Sequence, residues 1–211
     1  MHDLKQNWES LTASFCADPA LRGRIYHELQ TRYQEPQRAY HSLSHIQALF
    51  ELWQEYQTEF QYPLSVGLAI WFHDAIYQPD RDDNEERSAY VAFDAIEQVG
   101  GSPELIAEVV RLIRLTATHD PDPADAPGVV ISDADLAILG STREKYVQYA
   151  QGIRQEYSHV PQDAYRAGRA QVLRGFLDRE HIFRTAYARS HWEAQARDNM
   201  TSELACCDEP S

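Results

Sequence analysis

Basic side chains are scarce in this sequence. Its 211 residues carry 19 Lys and Arg against 33 Asp and Glu, a formal net charge of −14. The charge balance therefore excludes a surface that is basic over most of its area. We expect neither a nucleic-acid nor a membrane partner. The deficit is uneven, because residues 1–140 hold 9 basic and 23 acidic side chains whereas residues 141–211 hold 10 of each. The C-terminal third could therefore present a local arginine face.

Long apolar runs and spaced cysteines are also lacking. No stretch approaches the ~20 apolar residues that a membrane span needs, and the N-terminal residues resemble no signal segment. A cytoplasmic protein is the simplest interpretation. The cysteines are Cys16 and the adjacent Cys206 and Cys207, a pattern that suits neither a disulfide framework nor a zinc knuckle. A Gly-rich phosphate loop, a nucleophile elbow and a basic aromatic strip are absent, which excludes P-loop, hydrolase-triad and nucleic-acid functions.

The apolar residues follow a helical period. They return every three or four positions, as Ile46, Leu49 and Phe50 do, without convincing runs of period two. This pattern predicts an all-α fold. A chain of 211 residues is long enough for one domain with a substantial core and short for two. We therefore expect a single helical domain over residues 1–211.

Prolines and glycines predict where several helices begin and end. Pro63 opens a helix over residues 64–77 that is apolar nearly all round, so we expect it to be the buried centre. The proline-rich stretch 120–128 is predicted to be a surface loop that cannot hold a helix. A short amphipathic helix is predicted over 132–140, ending at a glycine. Three later helices are predicted from start signals near Thr142, at Pro161 and at the capping-box residue Ser190.

The most informative feature is His73 followed by Asp74 inside the most apolar segment. A buried carboxylate without a partner would cost several kcal/mol, so something must compensate it. Hydrogen bonds to buried backbone or a neighbouring loop are one explanation. A divalent ion is the other, because His45 lies on the preceding core helix and the acidic pair Asp133 and Asp135 opens a later one. Imidazole and carboxylate together are ligands for divalent first-row ions.

These residues resemble the HD-domain metal-dependent phosphohydrolases, an all-α family named for its histidine and aspartate ligands. The resemblance lies in segments 40–46, 71–77 and 133–136. Segments 84–89, 133–140 and 153–157 also resemble a subgroup of predicted HD phosphohydrolases of roughly this length. The likeness covers about residues 35–205. It implies a helical bundle with a buried metal site, a metal-binding core at about 40–140 and C-terminal helices at 141–205.

The resemblance implies that His45, His73, Asp74 and Asp135 hold one divalent ion, which could be Mn, Co, Ni, Fe, Mg or Zn. Asp133 is the rival for the last position. It stands about 200° away round a helix, so both aspartates cannot face one ion from the same turn. We take Asp135 as the ligand and Asp133 as a helix N-cap or a hydrogen-bond partner of a ligand.

A phosphohydrolase mechanism is also implied by the resemblance. A metal-activated water attacks phosphorus in a small phosphate ester, for which a nucleotide is a candidate. Asp74 is expected beside that water, and Glu85 or Glu86 could act as the base, although glutamates in a first helical turn often serve the helix dipole. A dianionic phosphate also needs cations. The candidates are Arg87, Arg154 and Arg169, each of which could instead be a solvated surface arginine.

Two further histidines are candidates for supporting roles. His41 could lie over the first ligand as a hydrogen-bond partner or be a surface or capping residue. His119 is a similar candidate, but a favourable charge at a helix C-terminus is its simpler explanation. It is the only histidine between the doublet and Asp135. The resemblance therefore favours a single metal ion and argues against the di-iron oxygenases of the same superfamily.

A second function of a different class remains open. The protein could keep the metal site as a catalytically weak regulatory module whose acidic surface contacts a protein partner. The sequence names no such partner and makes no prediction of oligomeric state. Substrate identity is also beyond the sequence, because loops shape the pocket around such a site.

Overall fold

The computed structural model describes residues 3–55 and 63–208. Within these ranges the regular elements are ten α-helices and one 3₁₀ helix, without a strand. The predicted all-α fold is confirmed. The helices are α1 Leu4–Thr12, α2 Pro19–Tyr33, α3 Leu43–Glu55, α4 Leu64–Phe72, α5 Asn84–Gln98, α6 Pro103–Leu115, α7 Ala126–Leu136, the 3₁₀ helix Ala137–Gly140, α8 Arg143–Glu156, α9 Gln162–Leu177 and α10 Ala186–Asp208.

The chain forms two compact units, Met1–Ala134 and Asp135–Ser211. The division falls in the last turn of α7, close to residue 140, where the sequence separates the core from the C-terminal helices. That the whole chain is a single domain stays a prediction. Of the helices in the described ranges, none is long and apolar enough to cross a membrane.

Helix α4 is the buried centre of the first unit. Every residue from Ser65 to Phe72 is buried, which confirms the prediction made from its apolar surface. The helix packs against α1, α3, α5 and α6. The hydroxyl of Tyr33 donates to the carbonyl of Trp71 at 2.9 Å, and the indole N–H of Trp71 donates to Asn7 at 2.9 Å. These bonds satisfy the polar atoms of the two buried aromatic side chains.

The predicted helix over residues 64–77 is too long. It ends at Phe72, and side chains form hydrogen bonds with the backbone N–H and C=O groups that follow. The Arg38 guanidinium donates to the carbonyl of Asp74 at 2.7 Å and to the next carbonyl at 3.2 Å. The Ser88 hydroxyl accepts from the backbone N–H two residues after Asp74 at 2.9 Å. Asp74 therefore lies in a turn directly after α4.

The predicted loop over residues 120–128 is also too long, because α7 already begins at Ala126. The Asp125 carboxylate accepts from the N–H of Gly128 at 3.2 Å and so caps the first turn. Pro127 fits that turn because helix-initial N–H groups have no helical partner. Asp133 consequently lies near the end of α7, so its predicted N-cap role is wrong.

The second unit contains α8, α9 and α10. The starts of α8 and α9 directly after Thr142 and Pro161 are confirmed. The predicted capping box at Ser190 is wrong, since α10 begins earlier and the Thr185 hydroxyl accepts from an N–H of its first turn at 3.0 Å. Glu193 instead accepts from two backbone N–H groups of the preceding loop, both at 3.1 Å.

Candidate metal centre

Two imidazole rings meet in the core of the first unit. His45 lies in the first turn of α3 and is 5% exposed, and His73 caps the C-terminus of α4 and is 2% exposed. Their Nε2 atoms are 3.2 Å apart. Ligands bound ~2.0–2.1 Å from one ion stand about 2.8–3.4 Å apart when they subtend a right or tetrahedral angle. The spacing of the two nitrogens therefore fits two adjacent ligands of one ion.

The tautomer of His73 is set by its backbone contact. Its Nδ1 lies 3.0 Å from the carbonyl oxygen of Ile70. A carbonyl oxygen only accepts hydrogen bonds, so Nδ1 carries the proton and the neutral ring keeps a lone pair on Nε2. A backbone carbonyl bound to the outer nitrogen is a common arrangement in metal-binding histidines, because it fixes the ring orientation.

Asp74 brings a carboxylate to both histidines. Its Oδ2 lies 3.1 Å from Nε2 of His73 and 3.8 Å from Nε2 of His45. The Asp74 side chain is 15% exposed, whereas the histidine side chains beside it are almost fully buried. The carboxylate thus touches the ring nitrogens while keeping some access to water.

Asp135 completes the group. His45, His73 and Asp135 each offer one ligand atom, and these atoms all lie within 4.8 Å of one another. Asp135 is half-buried in the last turn of α7. Two buried histidines and this carboxylate could therefore hold a metal ion. Asp133, the rival ligand, is buried on the same helix two residues earlier, and the choice between them stays a prediction.

Sequence reasoning missed Arg38, whose side chain is fully buried. Besides the carbonyls of the Asp74 turn, its guanidinium donates to the carbonyl of His41 at 2.9 Å. It also lies over the ring of Tyr77, 5.7 Å from the centroid. One side chain thus joins the segment before His45 to the turn that carries Asp74. One sequence signal could have identified it: Arg38 is the only Lys or Arg between Arg32 and Arg81.

His41 lies beside the first ligand. Its ring stacks on Tyr77 with the centroids 4.0 Å apart, and its centroid is 6.1 Å from that of His45. The Tyr40 ring is 5.0 Å from His45. These aromatic rings flank the buried imidazole. The supporting role predicted for His41 stays a prediction.

The predicted base and cation candidates Glu85, Glu86 and Arg87 occupy the first turns of α5. Glu86 accepts from the Arg114 guanidinium of α6 at 2.6 and 2.7 Å. Those hydrogen bonds hold the pKa of the Glu86 carboxyl below its ordinary value, which makes it a weaker base. Glu85 and Arg87 are half-buried. Their predicted roles remain predictions.

His119 ends the turn after α6 in a left-handed backbone conformation, with φ 48°. Its N–H donates to the carbonyl of Leu115 at 3.0 Å, which satisfies a helix-terminal acceptor. This geometry accounts for its place at the end of a helix. A supporting role at the metal centre stays a prediction.

Arg154 and Arg169 are tied into the second unit. Arg154 donates to the carbonyls of Tyr157 and Val160 at 2.6 and 3.1 Å. Arg169 is buried and binds both carboxylate oxygens of Glu203, at 2.8 and 3.0 Å. Both arginines thus have structural partners. Their predicted role in binding phosphate stays a prediction.

No protein-family model, no curated protein and no solved structure matches this chain. The chemical capacity of the centre follows from its donor atoms. Two imidazole nitrogens and carboxylate oxygens are a mixed N/O donor set of the kind that binds divalent first-row ions. With two carboxylates, a divalent ion would leave the centre close to neutral.

Proposed function

We propose that this protein is a metal-dependent phosphohydrolase that acts on a small phosphate ester, with nucleotides as the first candidates. The observation that carries the proposal is the group His45, His73 and Asp135, whose ligand atoms lie within 4.8 Å of one another. Asp74 joins this group through its contacts with both imidazoles. A carboxylate and two histidines are unusual in the apolar core of a small domain unless they bind something.

The donor set indicates the kind of ion. Imidazole nitrogen suits Fe, Ni and Zn better than Mg, which prefers oxygen ligands and retained waters. When bound, such an ion polarises a phosphoryl oxygen and lowers the pKa of the water that attacks phosphorus. We therefore favour one transition ion per chain over magnesium.

The protein supplies the orientation and the proton acceptor. The carbonyl of Ile70 holds the His73 ring in one tautomer, with Nε2 available as a ligand. Asp74 is the carboxylate beside the ring nitrogens that water can still reach, so we assign it the uptake of the proton from the attacking water. Glu86 suits that role less well because Arg114 already engages both of its oxygens.

Of the three predicted phosphate-binding arginines, Arg87 is the one in the first unit, which also contains His45 and His73. The adjacent residue Ser88 hydrogen-bonds the backbone of Ile76, so this turn of α5 packs against the segment that carries Asp74. Within the described part of the chain, Arg87 has no carboxylate within 4.0 Å. We therefore assign Arg87 to the substrate, because a guanidinium can offset the charge of a phosphate dianion.

Metal analysis combined with phosphate release tests the proposal. The purified protein, loaded separately with Mn, Fe, Co, Ni, Zn or Mg, is assayed against a panel of nucleotides and sugar phosphates. We expect about one bound ion per chain and phosphate release that requires it. His45→Ala and His73→Ala should lose both properties. His27→Ala, which removes an exposed histidine of α2, is the matched control and should lose neither.

Two outcomes contradict the proposal in different ways. Full metal content in both His45→Ala and His73→Ala would show that the ion binds elsewhere. Normal metal content without hydrolysis of any phosphate ester would instead support the catalytically weak metal-binding module as the function.

A further inference from the structure

A cavity of about 310 Å³ lies within the second unit, between α8, α9 and the C-terminal part of α10. Tyr165 supplies aromatic surface to its lining and Val147 and Ala150 supply aliphatic surface, whereas Tyr146 lies behind them and is almost fully buried. Small-molecule sites usually occupy ~300–1,000 Å³ and combine apolar walls with a few polar groups. The cavity is at the small end of that range. It shares no residue with the candidate metal centre.

Three arginines, Arg143, Arg154 and Arg166, also line this cavity. Arg154 donates to two backbone carbonyls and to the Gln162 amide, all of which are neutral acceptors. Arg143 reaches the carbonyl of Asn199 at 3.5 Å. Among residues 3–55 and 63–208, neither Arg143 nor Arg154 has a carboxylate within 4.0 Å. Neither guanidinium therefore forms an ion pair, although the charge of Arg143 acts on Glu203 at longer range.

The one carboxylate in the lining is already neutralised. Glu203 receives two hydrogen bonds from the buried Arg169, at 2.8 and 3.0 Å, and a third from the hydroxyl of Tyr146 at 2.5 Å. Gln162, the first residue of α9, also lines the cavity, and the N-cap of that helix makes no side-chain hydrogen bond. Asp163 in the first turn offsets the partial positive charge of this helix N-terminus, so the arginines supply the positive charge of the lining. The cavity is thus cationic in a chain whose net charge is −14.

We propose that this cavity binds a small organic anion with a flat apolar body. The oxyanion, a carboxylate or a phosphate, lies toward Arg143 and Arg154, because guanidinium groups recognise both through paired hydrogen bonds. The apolar body packs on Val147 and Ala150 beside Tyr165, one face of which is already covered by the Arg154 guanidinium, 4.6 Å from the ring centroid. The remaining acidic surface repels anions, so the cationic cavity provides the selectivity.

Binding is measured on the full chain by titration calorimetry after the protein is stripped of metal with a chelator. The metal centre then cannot contribute to anion binding. The probes are phenyl phosphate, benzoate and the uncharged benzamide. We expect at least one anion to bind at millimolar concentration or below and benzamide not to bind, and the tighter anion identifies the preferred head group. The proposal would be overturned if neither anion bound, or if benzamide bound as tightly as the anions.

A matched pair of variants separates the cavity from general electrostatics. Arg143→Gln and Lys145→Gln each remove one exposed cation from the first turn of α8, but Arg143 lines the cavity and Lys145 lies outside its lining. We expect Arg143→Gln to weaken anion binding about fivefold and Lys145→Gln to leave it unchanged. If both variants weakened anion binding equally, the proposed site would be overturned.

A third variant tests the position of the apolar body. Val147 is 38% exposed, so Val147→Glu should leave the melting temperature unchanged while placing a carboxylate in the lining. Anion binding should fall at least as much as in Arg143→Gln. Undiminished binding by folded Val147→Glu would contradict the proposed location.

Discussion

Nε2 of His45 lies 3.2 Å from Nε2 of His73 in a part of the core that water hardly reaches. The second nitrogen of His73 carries a proton bound to the Ile70 carbonyl. The two facing nitrogens can therefore be joined by one shared proton or by one cation. Two lone pairs that faced each other without either would repel, and their burial would remove the compensation that water gives.

Metal removal should therefore lower the stability of the folded protein. Binding to the native state at a concentration 100 times the dissociation constant adds about 2.7 kcal/mol. For a chain of this size we expect the chelator to lower the melting temperature by roughly 5–10 °C. Differential scanning calorimetry with and without chelator measures the shift, and added metal should reverse it. The same melting temperature with and without chelator, in protein shown to contain metal, would contradict the prediction.

The three aspartates should differ in their effect on metal content. Asp74 and Asp135 lie at the candidate centre, so Asp74→Ala and Asp135→Ala should each lose most of the bound ion. Asp133→Ala should retain it, because residues two apart on a helix face different directions. Bound metal per chain is measured by elemental analysis, with the melting temperature of each variant as a check on folding. Metal lost from Asp133→Ala but kept by Asp135→Ala would reverse the choice of ligand.

Asp74→Asn refines the test because it keeps the side-chain volume and deletes the negative charge. We expect metal content and phosphate release to fall together in this variant, with little change in the melting temperature of the metal-free protein. Loss of phosphate release at full metal content would assign Asp74 a purely catalytic role. Full retention of both would remove Asp74 from the centre.

Local sequence patterns predicted the buried α4 and the all-α fold, since both follow from the spacing of apolar residues. The sequence offered a shared divalent ion as one of two explanations for the buried doublet, and the family resemblance then implied the ligand set that includes His45, His73 and Asp135. The turn at Asp74 could not be predicted from periodicity. Its determinant, the Arg38 guanidinium, lies 36 residues away in the chain. Long-range hydrogen bonds from side chains to backbone leave no periodic signal.

The early start of α7 is a different case, because its signals were local. Asp125 followed by Pro127 is a helix-start pattern: the carboxylate caps the first turn, and proline is tolerated there. The density of prolines before it favoured a loop instead. In the structure, Pro121 and Pro123 lie in the loop, whereas Pro127 lies in the first turn of α7.

Arg38 should prove necessary for the geometry of the centre. Arg38→Gln would leave carbonyls of His41 and Asp74 without their donor, at an expected cost of about 3 kcal/mol or more in the free energy of unfolding. Arg38→Lys should restore little of this, since an ammonium lacks the planar fork of donors. Urea denaturation measures the loss, and titration with Co(II) measures metal affinity.

Arg24→Gln, a change at an exposed position of α2, is the control for the loss of one arginine. It should leave the free energy of unfolding and the Co(II) affinity unchanged. Wild-type affinity and an unchanged Co(II) absorption spectrum in Arg38→Gln would show that Arg38 is not a positioning residue.

The ion pair of Arg169 with Glu203 should make the second unit sensitive to acid. Burial alone would raise the pKa of Glu203, but the hydrogen bonds from Arg169 outweigh it and hold that pKa below its ordinary value. A carboxyl whose pKa is lowered by folding stabilises the protein above its unfolded pKa, and this contribution disappears as the pH falls through the folded pKa. We therefore expect stability to fall steeply below about pH 4.

Glu203→Gln tests this origin of the acid sensitivity. The variant keeps the volume but leaves the buried Arg169 without a counter-charge, which should cost about 3 kcal/mol at neutral pH. Because it has no carboxyl to protonate there, its stability should fall less between pH 6 and pH 3 than that of the wild type. Glu144→Gln, at an exposed position in the first turn of α8, should follow the wild-type profile. If Glu203→Gln and the wild type lost the same stability over that range, the acid sensitivity would have to come from other carboxyls.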